Sequence, residues 1–273
     1  MIVKTYDELK FYIEMFKNGN ADLLVLESLG GQGKSKLVEQ MMQETPHLKI
    51  LAHVTPMQLF ILGYKFKDKH IVIDDVDNLL HNDQNVSLLK MFCETAEFKK
   101  IGWLSTYKML KEEGVPLIYE TKSKVVILTN NFNILTKKVG ALRDRGWFIQ
   151  FRPTDKELLK KIEEIKNNYD NGVSMKEKQK VYDLIEKYSK FCNFSLRTFV
   201  KGLMLYKECN DGKNLDWESK LLNEMGIKEK LVLIDKILLE YEKEEERIEK
   251  WEEQGFSKRS YYDYKLKLMH KCS

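Results

Sequence analysis

Cysteine, proline and long apolar runs are all scarce in this 273-residue sequence, and each scarcity removes a class of protein. The four cysteines, Cys93, Cys192, Cys209 and Cys272, are scattered, with no C-x-x-C pair and no histidine at ligand spacing. They neither staple a small fold nor build a zinc site, so structural or free thiols are expected. With 14 glycines and 4 prolines the chain is not collagenous, and 43% hydrophobic residues over this length can bury a sizeable core. No stretch approaches about 18 uninterrupted apolar residues, so no membrane span is expected. The N-terminal MIVKTYDELKFYIEMF carries acids within its apolar stretch, which is not the pattern of a signal peptide. A soluble, intracellular protein of about one to two domains is expected.

Net charge is nearly missing too: 46 Lys and Arg against 42 Asp and Glu leave a formal +4. The imbalance is local. Between Phe256 and Ser273 stand five bases (Lys258, Arg259, Lys265, Lys267, Lys271) and one acid (Asp263), while the rest of the chain balances at 41 against 41. The last 18 residues therefore hold the whole excess.

What is present begins with an alternation. Short β-branched runs, Asp22–Glu27, Leu48–Thr55, His70–Val76, Lys124–Asn130 and Trp147–Phe151, are separated by helical patterns. That order predicts a parallel sheet buried on both faces by helices. After Phe151 the pattern is helical only. Arg152-Pro153-Thr154 marks a boundary, with Thr154 as a helix N-cap ahead of Asp155 and Glu157, and a looser joint falls in Glu208–Asn214. The expected division is 1–152 for an α/β domain, 153–210 for a helical domain and 211–273 for a helical extension.

The first motif lies between a strand and a helix. SLGGQGKS (Ser28–Ser35) follows DLLVLE and precedes KSKLVEQMM. It fits the second half of the phosphate loop G-x-x-x-x-G-K-[ST] through Gly33, Lys34 and Ser35. Glycines let backbone N–H groups close around phosphate oxygens at the positive end of a helix. Gly30, Gly31, Gln32, Gly33 and Lys36 complete the cradle, Lys34 reaches the β- and γ-phosphates, and Ser35 ligates Mg²⁺. Ser28 stands where the pattern has its first glycine, and Gly30 and Gly31 are expected to supply the backbone freedom instead. The second motif, HIVIDDVDNLL, ends an apolar strand in Asp74 and Asp75. Asp74 is the metal candidate and Asp75 the residue that polarises an attacking water.

With these motifs in this order, about the first 200 residues resemble an AAA+ ATPase. The resemblance adds further roles. KVVILTNN is similar to the family's sensor strand, which implies Asn130 beside the γ-phosphate, with Asn131 as its neighbouring candidate. ALRDRGWFIQFRPTDKEL is similar to the segment that delivers an arginine finger into the next subunit, which implies Arg145, or Arg143 as alternate. Such an arginine is worth about 10³–10⁵ in rate in other NTPases. FSLRTFVKGL resembles the family's lid helix and implies a second sensor at Arg197. The implied fold is an α/β three-layer P-loop core followed by an all-α lid and a C-terminal helical extension. The implied assembly is a homo-oligomer, expected as a hexameric ring, because a finger acts only across an interface. The implied cofactors are ATP and Mg²⁺.

Two segments remain. In the insertion EFKKIGWLSTYKMLKEEGVPLIYETKS, the residues Lys99, Lys100, Trp103 and Lys108 are candidates to line a central pore. The equally open reading is a helix with a buried Trp and solvated lysines. VPLIYETKSKVVIL is expected to form a β-hairpin like that before the sensor strand in superfamily-three helicases. At the C-terminus a helix through Gln254, a break at Gly255 and a basic helix from Ser257 suggest a helix-turn-helix, with Tyr261, Tyr264 and Leu268 as its apolar stripe. Lys258, Arg259, Lys265 and Lys267 are then nucleic-acid candidates. Trp251 departs from the motif, where a small residue usually packs, and an oligomerising helical hairpin is the alternative.

The expected function is an ATPase of the phage or mobile-element DNA-replication kind, acting in the cytoplasm of a bacterium or infected host. Its work is DNA unwinding or remodelling of a DNA-bound complex, with DNA and a replicative helicase or other replication protein as partners. A protein-remodelling or helicase-loading ATPase, or a slow ATP-dependent switch, is the alternative.

Overall fold

Six short strands lie side by side in one parallel sheet, and the phosphate loop leaves from its middle. With the two strands of a separate ribbon, β5 and β6, the described strands in chain order are β1 (Ile2–Val3), β2 (Leu23–Ser28), β3 (His47–Ile50), β4 (His70–Asp74), β5 (Lys99–Gly102), β6 (Ile118–Thr121), β7 (Val125–Thr129) and β8 (Trp147–Phe151). The sheet order is β1–β8–β2–β7–β4–β3, every pair parallel. This computed structural model describes residues 1–51, 53–74, 82–104, 108–130, 140–169, 172–210 and 216–270. The chain divides into two units, Met1–Glu157 and Leu158–Ser273.

Alternation along each strand feeds two cores. Leu24, Leu26, Val72, Val126 and Leu128 face Leu9, Ile13 and Phe16 of α1 (Tyr6–Lys17) and Leu37 and Val38 of α2 (Lys34–Met42). Leu23, Val25, Ile71, Ile73, Val125 and Ile127 face Leu59 and Phe60 of α3 (Pro56–Lys65) and Leu88, Leu89 and Phe92 of α4 (Asp83–Phe92). Burial on both faces explains why these strands read as continuous apolar runs. Capping boxes at Thr5/Glu8 and Thr55/Gln58 fix the starts of α1 and α3. Because β7 is inserted between β2 and β4, the ends of these three strands open side by side on one edge.

The insertion carries α5 (Lys108–Glu112) between its two strands, and it differs from expectation. β6 pairs antiparallel with β5 (Lys99↔Thr121, Ile101↔Tyr119), not with β7, which joins the main sheet. The reason is packing: Ile101 and Tyr119 enter the sheet core, and Tyr119 Oη donates to the Phe60 carbonyl at 3.0 Å. Lys99 cannot line a pore, because its side chain is fully buried, 3.0 Å from Asp22 Oδ1 and 2.8 Å from the Ser123 carbonyl. Burial lowers the Lys99 pKa, partly offset by Asp22. Trp103 packs against the same core, with its ring 5.9 Å from Phe60, whereas Lys100 and Lys108 are exposed. A short helix α6 (Gly140–Arg143) precedes β8.

Beyond β8, Thr154 Oγ1 accepts from Glu157 N at 3.2 Å and starts α7 (Asp155–Asn168). The second unit is helical throughout its described residues: α8 (Met175–Tyr188), α9 (Leu196–Asn210), α10 (Trp217–Glu224), α11 (Glu229–Glu240), α12 (Glu244–Glu253) and α13 (Lys258–His270), with one 3₁₀ turn at Ser189–Phe191. Val181, Ile185, Phe199, Leu203 and Leu221 centre one core, and Ile234, Ile237, Trp251 and Tyr261 centre a smaller one. Tyr264 and Leu268 pack on both, so the expected stripe of α13 is its inner face. Trp251 takes the place of the small residue: wholly buried between α12 and α13, it donates from Nε1 to the Ser257 carbonyl at 3.2 Å and to Ser260 Oγ at 3.0 Å. No described helix is long and apolar enough to cross a membrane.

Candidate functional site

The loop between β2 and α2 takes its shape from two glycines. Gly31 and Gly33 have φ of +82° and +80°, a region that L side chains rarely adopt. Ser28, in contrast, is the buried last residue of β2 with no positive φ, so a side chain is tolerated where the motif has glycine. Gly31 supplies the expected freedom, and Gly30, exposed, does not share it.

The first turn of α2 is open. Its N-cap is Gly33, with no side-chain cap, and Leu37 N is the first to bond back, to the Gly33 carbonyl at 2.9 Å. The backbone N–H groups of this first turn stand at the positive end of the helix, the arrangement that receives a phosphate. The Lys36 side chain is exposed and pairs with Glu39 at 3.1 Å, so only its backbone serves the loop. Gln32 is buried; its carbonyl accepts from Tyr6 Oη at 2.9 Å, and its Oε1 has no partner among the described residues.

Three strand ends converge on this turn. Lys34, buried, reaches from Nζ to the Thr129 carbonyl at 2.5 Å and to Asn130 Oδ1 at 3.2 Å, just past β7. Ser35 Oγ donates to Asp74 Oδ1 at 3.0 Å, at the end of β4. A cationic side chain, a hydroxyl and a carboxylate gathered at the N-terminus of one helix suit an anionic phosphate chain with a divalent cation. Asp75 and Asn131 lie outside the described residues.

Glu27 and Arg152 also meet beside the loop, a pairing that reading along the sequence does not disclose. Arg152 Nη2 contacts both Glu27 carboxylate oxygens at 2.7 Å, and Glu27 is 3% exposed. The signal available was a carboxylate inside an otherwise apolar run. Tyr6 is the other unforeseen residue.

Arg145 stands at the opposite edge. It precedes β8, and the neighbouring Gly146 is so close to Leu23 that a Cβ there would meet the Leu23 carbonyl at 2.5 Å. Leu23 opens β2 and Ser28 ends it, so at about 3.3 Å per residue Arg145 is roughly 17 Å from its own phosphate loop. Its Nη1 donates to the Lys90 carbonyl at 2.7 Å, in the last turn of α4. Arg143 ends α6 and is exposed.

In the second unit, Arg197 is the exposed second residue of α9. Lys258, Arg259 and Lys267 are exposed on α13, but Lys265 is not available to a partner. Its Nζ contacts both oxygens of Glu244 at 2.7 and 2.6 Å, because α12 begins where Lys265 emerges from α13. The hydrogen bond from Lys265 in turn holds the Glu244 carboxyl below the usual range. Among the described residues no cluster of three or more His, Cys, Asp or Glu forms a metal site.

No protein-family model matches the chain. It is 22% identical over 204 residues to an uncharacterised 36.7 kDa protein of the nrdC–mobD intergenic region of Enterobacteria phage T4. That match takes in 66% of this chain and 62% of the phage protein, less than two thirds of the relative's length. Among solved structures, Cdc6p of Pyrobaculum aerophilum superposes with a TM-score of 0.57 at 14% identity, over 97% of this chain and 85% of that one. A RuvB variant of Thermotoga maritima gives 0.52 at 15% identity, over 86% of this chain and 79% of that one. Both neighbours are AAA+ P-loop ATPases, and at these identities the likeness is one of fold. With its phosphate loop leaving the middle of a parallel sheet and a helical C-terminal part, the chain has the AAA+ P-loop ATPase fold.

Proposed function

We propose that the chain binds and hydrolyses ATP as a subunit of a homo-oligomeric ring, expected to be hexameric, and couples the cycle to DNA or to a DNA-bound complex. The observation that carries the nucleotide half is the convergence of Lys34 on Asn130 and of Ser35 on Asp74. Residues 30–36 cradle the phosphates through backbone N–H groups. Lys34 neutralises the β- and γ-phosphates, and Ser35 and Asp74 hold the cation. Bound Mg²⁺ supplies charge that offsets what develops on the phosphate oxygens. Asn130 orients the attacking water, and Asp75 accepts its proton as the bond to the γ-phosphorus forms and the bond to ADP breaks. Arg145 enters the next subunit's site, in line with its place at the edge of the sheet away from its own loop. Residues 153–210 serve as the lid, with Arg197 as second sensor.

Exposed Lys258, Arg259 and Lys267 support the DNA half. A second reading has its own observation: Tyr262, Leu266 and Met269 are 39%, 50% and 57% exposed on that same helix. Such a face suits a protein partner, such as a replicative helicase or other replication protein. One measurement separates the readings: ATPase rate with and without single- and double-stranded DNA, at two salt concentrations. DNA stimulation that fades with salt is expected. Absence of turnover sinks the enzymatic reading, and turnover indifferent to DNA favours the protein partner.

A further inference from the structure

We infer that Tyr6 is a positioning residue of the phosphate loop: its hydroxyl sets the orientation of the Gln32–Gly33 peptide, and so aims the Gly33 N–H at the bound nucleotide. The inference rests on the nucleotide-binding reading and adds a residue 26 positions upstream of the loop.

Tyr6 is held from three sides. It is the first residue of α1, whose start is fixed by the Thr5/Glu8 capping box. Its ring is buried and stands edge-on to Phe151, with centroids 5.0 Å apart and planes at 66°. Its backbone N–H donates to Glu157 Oε2 at 3.2 Å. The hydroxyl therefore has little freedom, and it donates to the Gln32 carbonyl at 2.9 Å in a buried setting.

A trans peptide is planar, with its carbonyl and N–H pointing to opposite sides. Fixing the Gln32 carbonyl on Tyr6 thus turns the Gly33 N–H away from the Tyr6 hydroxyl. Gly33 has φ +80° and ψ 7°, a conformation open to glycine, and glycine is also the residue for which the flipped peptide is least penalised. Without the hydroxyl, two orientations compete. One presents a donor to the phosphate and the other presents a carbonyl oxygen, whose partial charge repels it. The hydroxyl is the only part of Tyr6 that this device requires, since the ring's packing against Phe151 is served equally by phenylalanine.

The test uses the full chain. Affinities for Mg²⁺·ADP and for a slowly hydrolysed ATP analogue are measured for the wild type and for Tyr6→Phe, together with melting curves of both without nucleotide. Tyr6→Phe is expected to weaken both nucleotides by about tenfold, the equivalent of one buried hydrogen bond. Its melting temperature without nucleotide falls by a few degrees, as for any one buried hydrogen bond, and the further rise on adding ADP shrinks. Phe92→Leu, in the core on the other face of the sheet, serves as control: it lowers the melting temperature and leaves affinity near the wild-type value. A second measurement needs no variant. With the 14 glycines labelled with ¹⁵N, the Gly33 amide of the wild type should be among those most shifted by ADP. Equal affinities for Tyr6→Phe and wild type, or a Gly33 amide indifferent to bound ADP, would overturn the role of Tyr6. A wild type that binds neither nucleotide would instead overturn the reading of the loop itself.

Discussion

Ser35 Oγ donates to Asp74 Oδ1 at 3.0 Å, joining the first turn of α2 to the end of a strand two places away in the sheet. In the proposed role the two residues act as one unit on the cation, so their removal should not be additive. Ser35→Ala and Asp74→Asn are each expected to weaken Mg²⁺-dependent nucleotide binding by about 10- to 100-fold. The double variant should lose little more than the worse single one. Titrations of nucleotide with Mg²⁺ and with EDTA check this; full additivity would mean that the pair does not share a ligand.

Arg145 provides a test of assembly. Arg145→Ala is expected to slow hydrolysis by about 10³ while nucleotide affinity is kept. Lys34→Ala is expected to abolish binding in its own subunit. Mixing the two inactive proteins should restore part of the activity, because a Lys34→Ala subunit still offers its Arg145 to a neighbour. Mixtures that stay silent at every ratio would return Arg145 to its contact with the Lys90 carbonyl as its whole role.

Asp22 answers to pH. Burial alone raises its pKa, and the hydrogen bonds from Lys124 and Lys99 more than reverse this, leaving the carboxyl below its ordinary value. A depressed acid contributes stability above its unfolded pKa of about 3.9 and loses it as pH falls through the folded value. Asp22→Asn leaves the buried Lys99 ammonium uncompensated and should cost about 3 kcal/mol at neutral pH. Urea unfolding of both proteins from pH 7 down to pH 2 should show the gap closing below about pH 4. A gap that stays constant across that range would place the effect outside the charge.

The basic helix contains lysines of two kinds. Lys258→Ala and Arg259→Ala should each weaken DNA binding across all sequences and lower the salt slope by about 1. Lys265→Ala should leave the salt slope untouched and lower stability by about 1 kcal/mol through loss of the Glu244 pair, whose exposure permits screening. Fluorescence anisotropy at several salt concentrations, with melting curves, separates the two outcomes.

What the sequence discloses and what it hides divide along range. The β2–loop–α2 unit is legible because strand, glycines, lysine and helix follow one another within a dozen residues, and β4 because its apolar run ends in an acid. Order in the sheet is not legible, since nothing near β7 says that it enters between β2 and β4. Lys99 reads as a surface or pore lysine because its partner, Asp22, stands far upstream; only the fold brings the carboxylate to it. The same holds for Lys265 and Glu244, and for Glu27 and Arg152, which are 125 residues apart. Trp251 looks like an obstacle to a tight turn until its indole N–H is seen to bind the turn.

The buried contact of Lys99 with Asp22 joins two parts of the fold that the chain itself keeps far apart. Lys99 opens the β5–β6 ribbon, and Asp22 is the residue immediately before β2, whose far end is the phosphate loop. The ribbon is therefore tied, through one buried ion pair, to the foot of the strand that carries the loop at its head.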